Sequence, residues 1–149
     1  MNRLLKAFAG EWKTTESMER EFFPNGGARQ GTATFRLGTG GTTLIEEGSS
    51  DGSAGKLAFL IVFWWDKSAE VYRLVTCFNG YNKPCEMRGT AHWEGETFVN
   101  DYEEPVKGKS TPFRDSFFQI TPASFTLVQS VSSENGSMKL RITTKYTRR

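Results

Sequence analysis

Histidine occurs once in this 149-residue chain, at His92, so any mechanism that needs two imidazoles is excluded and one that needs a single imidazole must use that residue. Cysteine is nearly as scarce. Cys77 and Cys85 are too few for a disulfide-stapled scaffold, and no Cys-x-x-Cys or His-x-x-x-His spacing organises them with His92 into a metal site. They flank the turn-like "FNGYNKP" and could meet across a hairpin, but two free thiols is the reading for a cytoplasmic chain. Charge of one sign is also lacking: 19 Lys and Arg stand against 17 Asp and Glu, and a net charge of +2 offers no field for a nucleic-acid backbone. The only basic cluster, "KYTRR", reads as a solvated tail. The longest apolar run, "LAFLIVFWW", is far shorter than the roughly 20 residues of a spanning helix, so no membrane span is expected. Ala7-Phe8-Ala9 imitates a signal cleavage site, yet Lys6 breaks the apolar segment before it, and the start reads as mature and cytoplasmic. "GSSDGSAG" lacks the strand-to-helix setting of a serine nucleophile and reads as a loop. "GTGGTT" lacks the following helix of a phosphate-binding loop and reads as a hairpin turn.

Aromatic residues, by contrast, are plentiful: 12 Phe and 4 Trp in a single domain spanning residues 1–149. Only Asn2 to Ala9 has helical spacing, with Leu4, Leu5 and Phe8 on one side. After Trp12 the chain reads as strands rich in Thr, Val, Phe and Tyr, divided by turn residues. The strands are expected at Glu11 to Phe22, Ala28 to Leu37, Thr42 to Ser49, Leu57 to Trp65, Val71 to Phe78, Glu86 to Trp93, Thr97 to Tyr102, Thr111 to Ile120, Ser124 to Ser132 and Met138 to Tyr146. Links this short make antiparallel neighbours, and a flat meander of that length would leave two raw edges. An all-β, ten-stranded up-and-down barrel with a short N-terminal helix removes both.

Alternation then assigns faces. Trp12, Thr14, Glu16 and Met18 are expected inward on the first strand, Ala33, Phe35 and Leu37 on the second, and Met138, Leu140, Ile142, Thr144 and Tyr146 on the last. Leu57 to Trp65 is apolar on both faces, which predicts an exposed apolar stripe and a homodimer through that strand. On strands three, five and six either face fits, and a one-residue slip exchanges them. Met87, Gly89, Ala91 and Trp93 form an apolar set that leaves Arg88 and His92 on the solvent side; the opposite register would bring both into the cavity.

Gly10-Glu11-Trp12 after a helical turn resembles the Gly-x-Trp signature of lipocalins and their calycin relatives, in which the Trp closes one barrel end. "GTGGTTLIEEG", "WWDKSAEVYRL", "MRGTAHWEG", "PFRDSFFQITPASFTLVQSVSSENG" and the final "KYTRR" look like a bacterial calycin-like family of unknown function, over nearly the whole chain. The resemblance implies a lipocalin-like barrel with Trp12, Leu5 and Phe8 as a structural end. It carries no catalytic residues. A more distant likeness is to nitrobindin, a haem-binding barrel. Here "KTTESME" replaces its glycine-rich segment and no histidine lies near the C-terminus, so no cofactor is expected. Fatty-acid-binding proteins insert a helical lid after the first strand, where "FFPNGGARQ" allows only a turn.

The expected function is binding of a small, mostly hydrophobic molecule in the barrel. Phe35, Phe59, Phe63, Phe118 and Phe125 would line or fill the interior, and Glu16, Arg73 and Tyr102 would be polar anchors. Glu46 or Glu47 must also face inward, with Arg73 and Arg114 as the available cations. A second reading is an enzyme that moves protons with Glu16 and Arg73, or with His92 and Arg88. A third is a filled barrel acting as a homodimeric scaffold. Convergent charges in the cavity would favour the enzyme, and an apolar cavity would favour carriage.

Overall fold

A computed structural model of the chain describes residues 1–79, 84–106 and 108–149. A helix, α1 (Asn2–Phe8), leads into ten strands: β1 (Gly10–Met18), β2 (Gly27–Leu37), β3 (Thr43–Gly52), β4 (Leu57–Asp66), β5 (Val71–Phe78), β6 (Met87–Glu94), β7 (Thr97–Val106), β8 (Lys109–Phe118), β9 (Ser124–Ser132) and β10 (Met138–Arg148). Each strand pairs antiparallel with its neighbours in sequence. β1 also pairs with β10, which closes the barrel and removes both edges. The expected fold class is the one the chain adopts. Among the described residues no helix is long and apolar enough to cross a membrane.

The wall follows the period of two. On β1, Trp12, Thr14, Glu16 and Met18 are buried while Glu11, Lys13, Thr15 and Ser17 are exposed. On β4, Leu57, Phe59, Ile61 and Phe63 pair with the inward residues of β3, and Leu60, Val62 and Trp64 lie half-buried on the outer face. Val62 is flanked there by Ile45 and Val75, so an apolar stripe does run down the outside.

Two strands depart from the expected faces. β10 carries a β-bulge between Leu140 and Ile142, so Met138 and Leu140, expected inward, are 44% and 40% exposed. The extra residue, Arg141, reverses the alternation and turns toward the interior. On β8 the buried set is Phe113, Asp115 and Phe117, so Phe118 lies on the outer face with Arg114. Leu37, also expected inward, ends β2 beyond the core and is 48% exposed. The expectation of free thiols fails as well. The Cα atoms of Cys77 and Cys85 are 4.0 Å apart across the β5–β6 connection, and the two sulfurs are bonded.

One end of the barrel is a packed aromatic floor. Leu4 and Phe8 of α1 are fully buried one helical turn apart, and the Phe8 ring centroid lies between 5.1 and 5.8 Å from those of Phe35, Phe98, Phe117 and Phe125. Trp12 is fully buried beneath this cluster, and its indole N–H donates to the Phe8 carbonyl at 2.8 Å. Leu5 packs against the same cluster from the rim. Trp12 thus lies at the filled end of the barrel, packed beneath α1.

Arg148, read from sequence as part of a solvated tail, completes that end. Its guanidinium lies 4.0 Å from the Trp12 ring and donates to the Ala9 carbonyl at 2.6 Å. Gly10 makes room for it: the backbone there has φ +130, and a Cβ would sit 1.9 Å from Arg148 Nη1. Gly10→Ala therefore combines backbone strain with loss of the stacked cation, and chemical denaturation should show a loss of about 2 kcal/mol or more. Gly136→Ala, at φ +82 with nothing near the added carbon, carries the backbone strain alone and should cost less, about 1–2 kcal/mol.

Candidate functional site

Above the aromatic floor the barrel holds an internal cavity of about 230 Å³. Its apolar wall comes from Leu57, Phe59 and Ile61 on β4, with Phe78, Leu127 and Ile142. The rest of the lining is largely polar. Glu16, Arg29, Glu46, Asn100, Tyr102, Glu104, Asp115 and Tyr146 all face the cavity, and each is at most 9% exposed. This places the expected anchors Glu16 and Tyr102, and the expected wall residue Phe59, at the cavity.

Other sequence-based candidates fall elsewhere. Phe35, Phe63 and Phe125 are buried in the core cluster of the plugged end, outside the cavity lining. Arg73 points out of the wall, 42% exposed, and donates to Asp66 at 3.1 Å. Arg114 is on the outer face with Asp101 at 2.8 Å. His92 also faces outward, 2.9 Å from Glu94, and Arg88 is exposed. The Glu16–Arg73 and His92–Arg88 pairs therefore do not exist as cavity pairs. A wider open groove of about 830 Å³ runs over this outer surface, but its Arg73 and Arg114 are already matched to carboxylates.

The cation that meets Glu16 is Arg29, whose Nε and Nη2 donate to Glu16 Oε2 at 2.9 and 2.6 Å. It shares the parity of Ala33 and Phe35, so the alternation that placed them inward also points to it. Asn100, between Phe98 and Tyr102, could have been found the same way. Of the two carboxyls of β3, Glu46 is the buried one and Glu47 is exposed. Tyr146 donates to Glu46 Oε1 at 3.2 Å, while Glu46 Oε2 and Asn100 Oδ1 are buried with no hydrogen-bond partner among the described residues. Tyr102 donates to Asp115 at 3.1 Å and accepts from Gln129 at 2.7 Å. Arg141 donates to Gln129 Oε1 at 2.6 Å, and its guanidinium lies 5.2 and 5.4 Å from the rings of Phe23 and Phe113.

The far end of the cavity is covered by the turn between β1 and β2. It contains no helix, as expected, yet it does act as a cover. Phe23 lines the cavity, and Phe22 packs on Tyr102, Phe113 and Val131. The Glu19 N–H donates to the Arg141 carbonyl at 3.0 Å, and Glu21 pairs with Lys139, which ties the turn to the bulged end of β10.

No protein-family model and no curated protein matches the chain in sequence. Solved structures match its shape. Rv2717c from M. tuberculosis aligns over 99% of this chain and 96% of its own with a TM-score of 0.66 at 12% identity. The S-type phycobiliprotein lyase CPES from Guillardia theta aligns over 99% and 92% with a TM-score of 0.67 at 9% identity. A redesigned β-barrel, mFAP1, bound to DFHBI, aligns over 98% and 99% with a TM-score of 0.52 at 16% identity. The fold is a lipocalin-like β-barrel.

Within this barrel, burial governs the carboxyls. Removal from water pushes Glu46 up to about 8, with Asp115 adding to the effect and the Tyr146 hydroxyl opposing it. Burial likewise pushes Asp115 up to about 7, against the pull of the Tyr102 and Gln129 donors. The phenols of Tyr102 and Tyr146 are raised by burial and by these carboxyls. Below the ordinary carboxyl values, 4.5 for Glu and 3.8 for Asp, folded and unfolded chains are both protonated. Between those values and about 8 and about 7 the folded chain binds more protons, so stability falls as pH rises through that window. Glu46→Gln removes its share of the slope. The variant should match the parent near pH 5 and exceed it by a few kcal/mol above pH 8 in urea titrations.

Proposed function

We propose that this protein binds a compact small molecule in the barrel, with an apolar body against β4 and a hydrogen-bonding head among the buried polar groups. The observation that carries this reading is a pair of buried oxygens at the cavity, Glu46 Oε2 and Asn100 Oδ1, that have no partner among the described residues. Buried polar atoms are seldom left unpaired, and a ligand would satisfy both. The volume, about 230 Å³, is below the usual range of roughly 300–1,000 Å³ for drug-sized ligands, so the ligand is small. The redesigned barrels mFAP0 and mFAP1 are bound to DFHBI, which supports a small-molecule role for a barrel of this shape. Membership of the bacterial calycin-like family belongs to the same proposal. A nitrobindin-like use of haem is not part of it, since His92, the one imidazole, faces away from the cavity.

The hydrogen bond between Tyr102 and Asp115 favours a second reading, proton transfer on a bound substrate, with the Asp115 carboxyl as the group that gives or takes the proton. The apolar stripe of Leu60, Val62 and Trp64 keeps a homodimer within the proposal, and a strictly monomeric protein at high concentration removes it. The cytoplasmic location is retained as an expectation to be tested by the state of Cys77 and Cys85, because a disulfide belongs to an oxidising compartment. Blocking thiols at lysis and finding the pair reduced supports it, and finding the pair bonded overturns it.

Comparing the native mass of the purified protein with its denatured mass tests the binding reading. A reproducible extra mass is expected, and it should be lost when Phe59→Trp fills the cavity in a variant that still folds. Identical native and denatured masses, together with no binding from a library of small aromatic compounds, would remove the reading.

A further inference from the structure

Resting on the binding reading above, we infer that the head group of the ligand is a small organic cation carrying N–H donors, an amidinium, guanidinium or primary ammonium, seated on Glu46 and Asn100 with Asp115 as the second carboxyl. Asn100 Oδ1 only accepts hydrogen bonds, and so does an ionised Glu46 Oε2. Both belong to side chains that are 1% exposed, and both face the cavity.

The charges around them select a cation over a neutral donor. From β1 and β2 the cavity receives Glu16 and Arg29, which pair with each other. From β3 comes Glu46, from β7 Tyr102 and Glu104, from β8 Asp115, and from β10 Arg141 and Tyr146. Arg141 donates to Gln129 and lies near the rings of Phe23 and Phe113. Glu46 and Asp115 receive hydrogen bonds from phenols; Arg141 attracts the Asp115 carboxylate, but among the described residues no guanidinium reaches ion-pair distance of either. An amidinium supplies the missing charge and the missing donors together, and its flat apolar body fits against the β4 wall.

Without a ligand, burial keeps protons on Glu46 and Asp115 near neutral pH. A cation bound there favours the ionised carboxyls, so its arrival releases protons and its affinity rises with pH until they are ionised without it. Calorimetric titration with benzamidinium, which stays charged across the range, and with neutral benzamide of the same shape tests this on the unmodified protein. Each is run at about pH 6 and about pH 8.5 in two buffers of different ionisation heat. Benzamidinium is expected to bind with proton release at about pH 6 and much less of it at about pH 8.5, about tenfold or more tighter at the higher pH, and more tightly than benzamide at both. Glu46→Gln should abolish that preference and most of the pH dependence. Benzamide binding as well as benzamidinium, or benzamidinium binding without proton release at about pH 6, overturns the cation and leaves the binding reading intact. Neither compound binding also overturns it, and the native mass then decides separately whether the container reading survives.

Discussion

Pairing of β1 with β10 is the constraint on which the rest of the molecule depends. The register that joins Trp12 to Arg148 and Glu16 to Thr144 seals the sheet and fixes which side of each strand is enclosed. Once Trp12 faces inward the end of the barrel must be filled, and α1 supplies Leu4 and Phe8 to fill it. The same register carries Arg148 to the Trp12 ring and requires a residue without a side chain at Gly10. Farther along β1, alternation makes Glu16 an interior carboxyl, and the pairing of Glu16 with Arg29 across β1 and β2 supplies its cation. Floor and polar wall are consequences of one closure.

The two halves of the interior answer different energetic demands. The floor is dense in aromatic rings whose edge-to-face contacts add to the hydrophobic burial; the Trp12 indole nitrogen is satisfied within the chain, while that of Trp93 is buried without a partner among the described residues. The polar wall is incompletely satisfied. Burying carboxyls without a cation disfavours their charged form, so the chain lowers the cost by holding Glu46 and Asp115 neutral. An apolar filling would serve stability better, which is the physical reason to read this wall as functional.

Much of this was legible in the residues. Short polar turns at close spacing implied an up-and-down barrel, the Gly10-Glu11-Trp12 stretch marked its plugged end, and alternation on β1 placed Glu16 inside. The same parity points to Arg29, two steps before the inward pair Ala33 and Phe35, and to Asn100 between Phe98 and Tyr102. Other features had no local signal. The bulge on β10 lies in its most regular-looking stretch, "MKLRITTKY", and only the register against β9 shows that Arg141 turns inward there. On β8, adjacent Phe117 and Phe118 satisfy either parity, so the sequence could not choose between Asp115 and Arg114 as the inward charge. The contact of Arg148 with Trp12 joins positions at opposite ends of the chain, and nothing near Arg148 in sequence announces it.

Glu46 is a neutral acid buried at a cavity, with one of its oxygens unpartnered among the described residues. Infrared difference spectroscopy of the parent against Glu46→Gln observes that carboxyl directly. A protonated carboxyl C=O stretch is expected at neutral pH, absent from the variant and lost from the parent only as pH passes about 8. A carboxylate band already complete at pH 6, titrating near the ordinary value of 4.5, would contradict it.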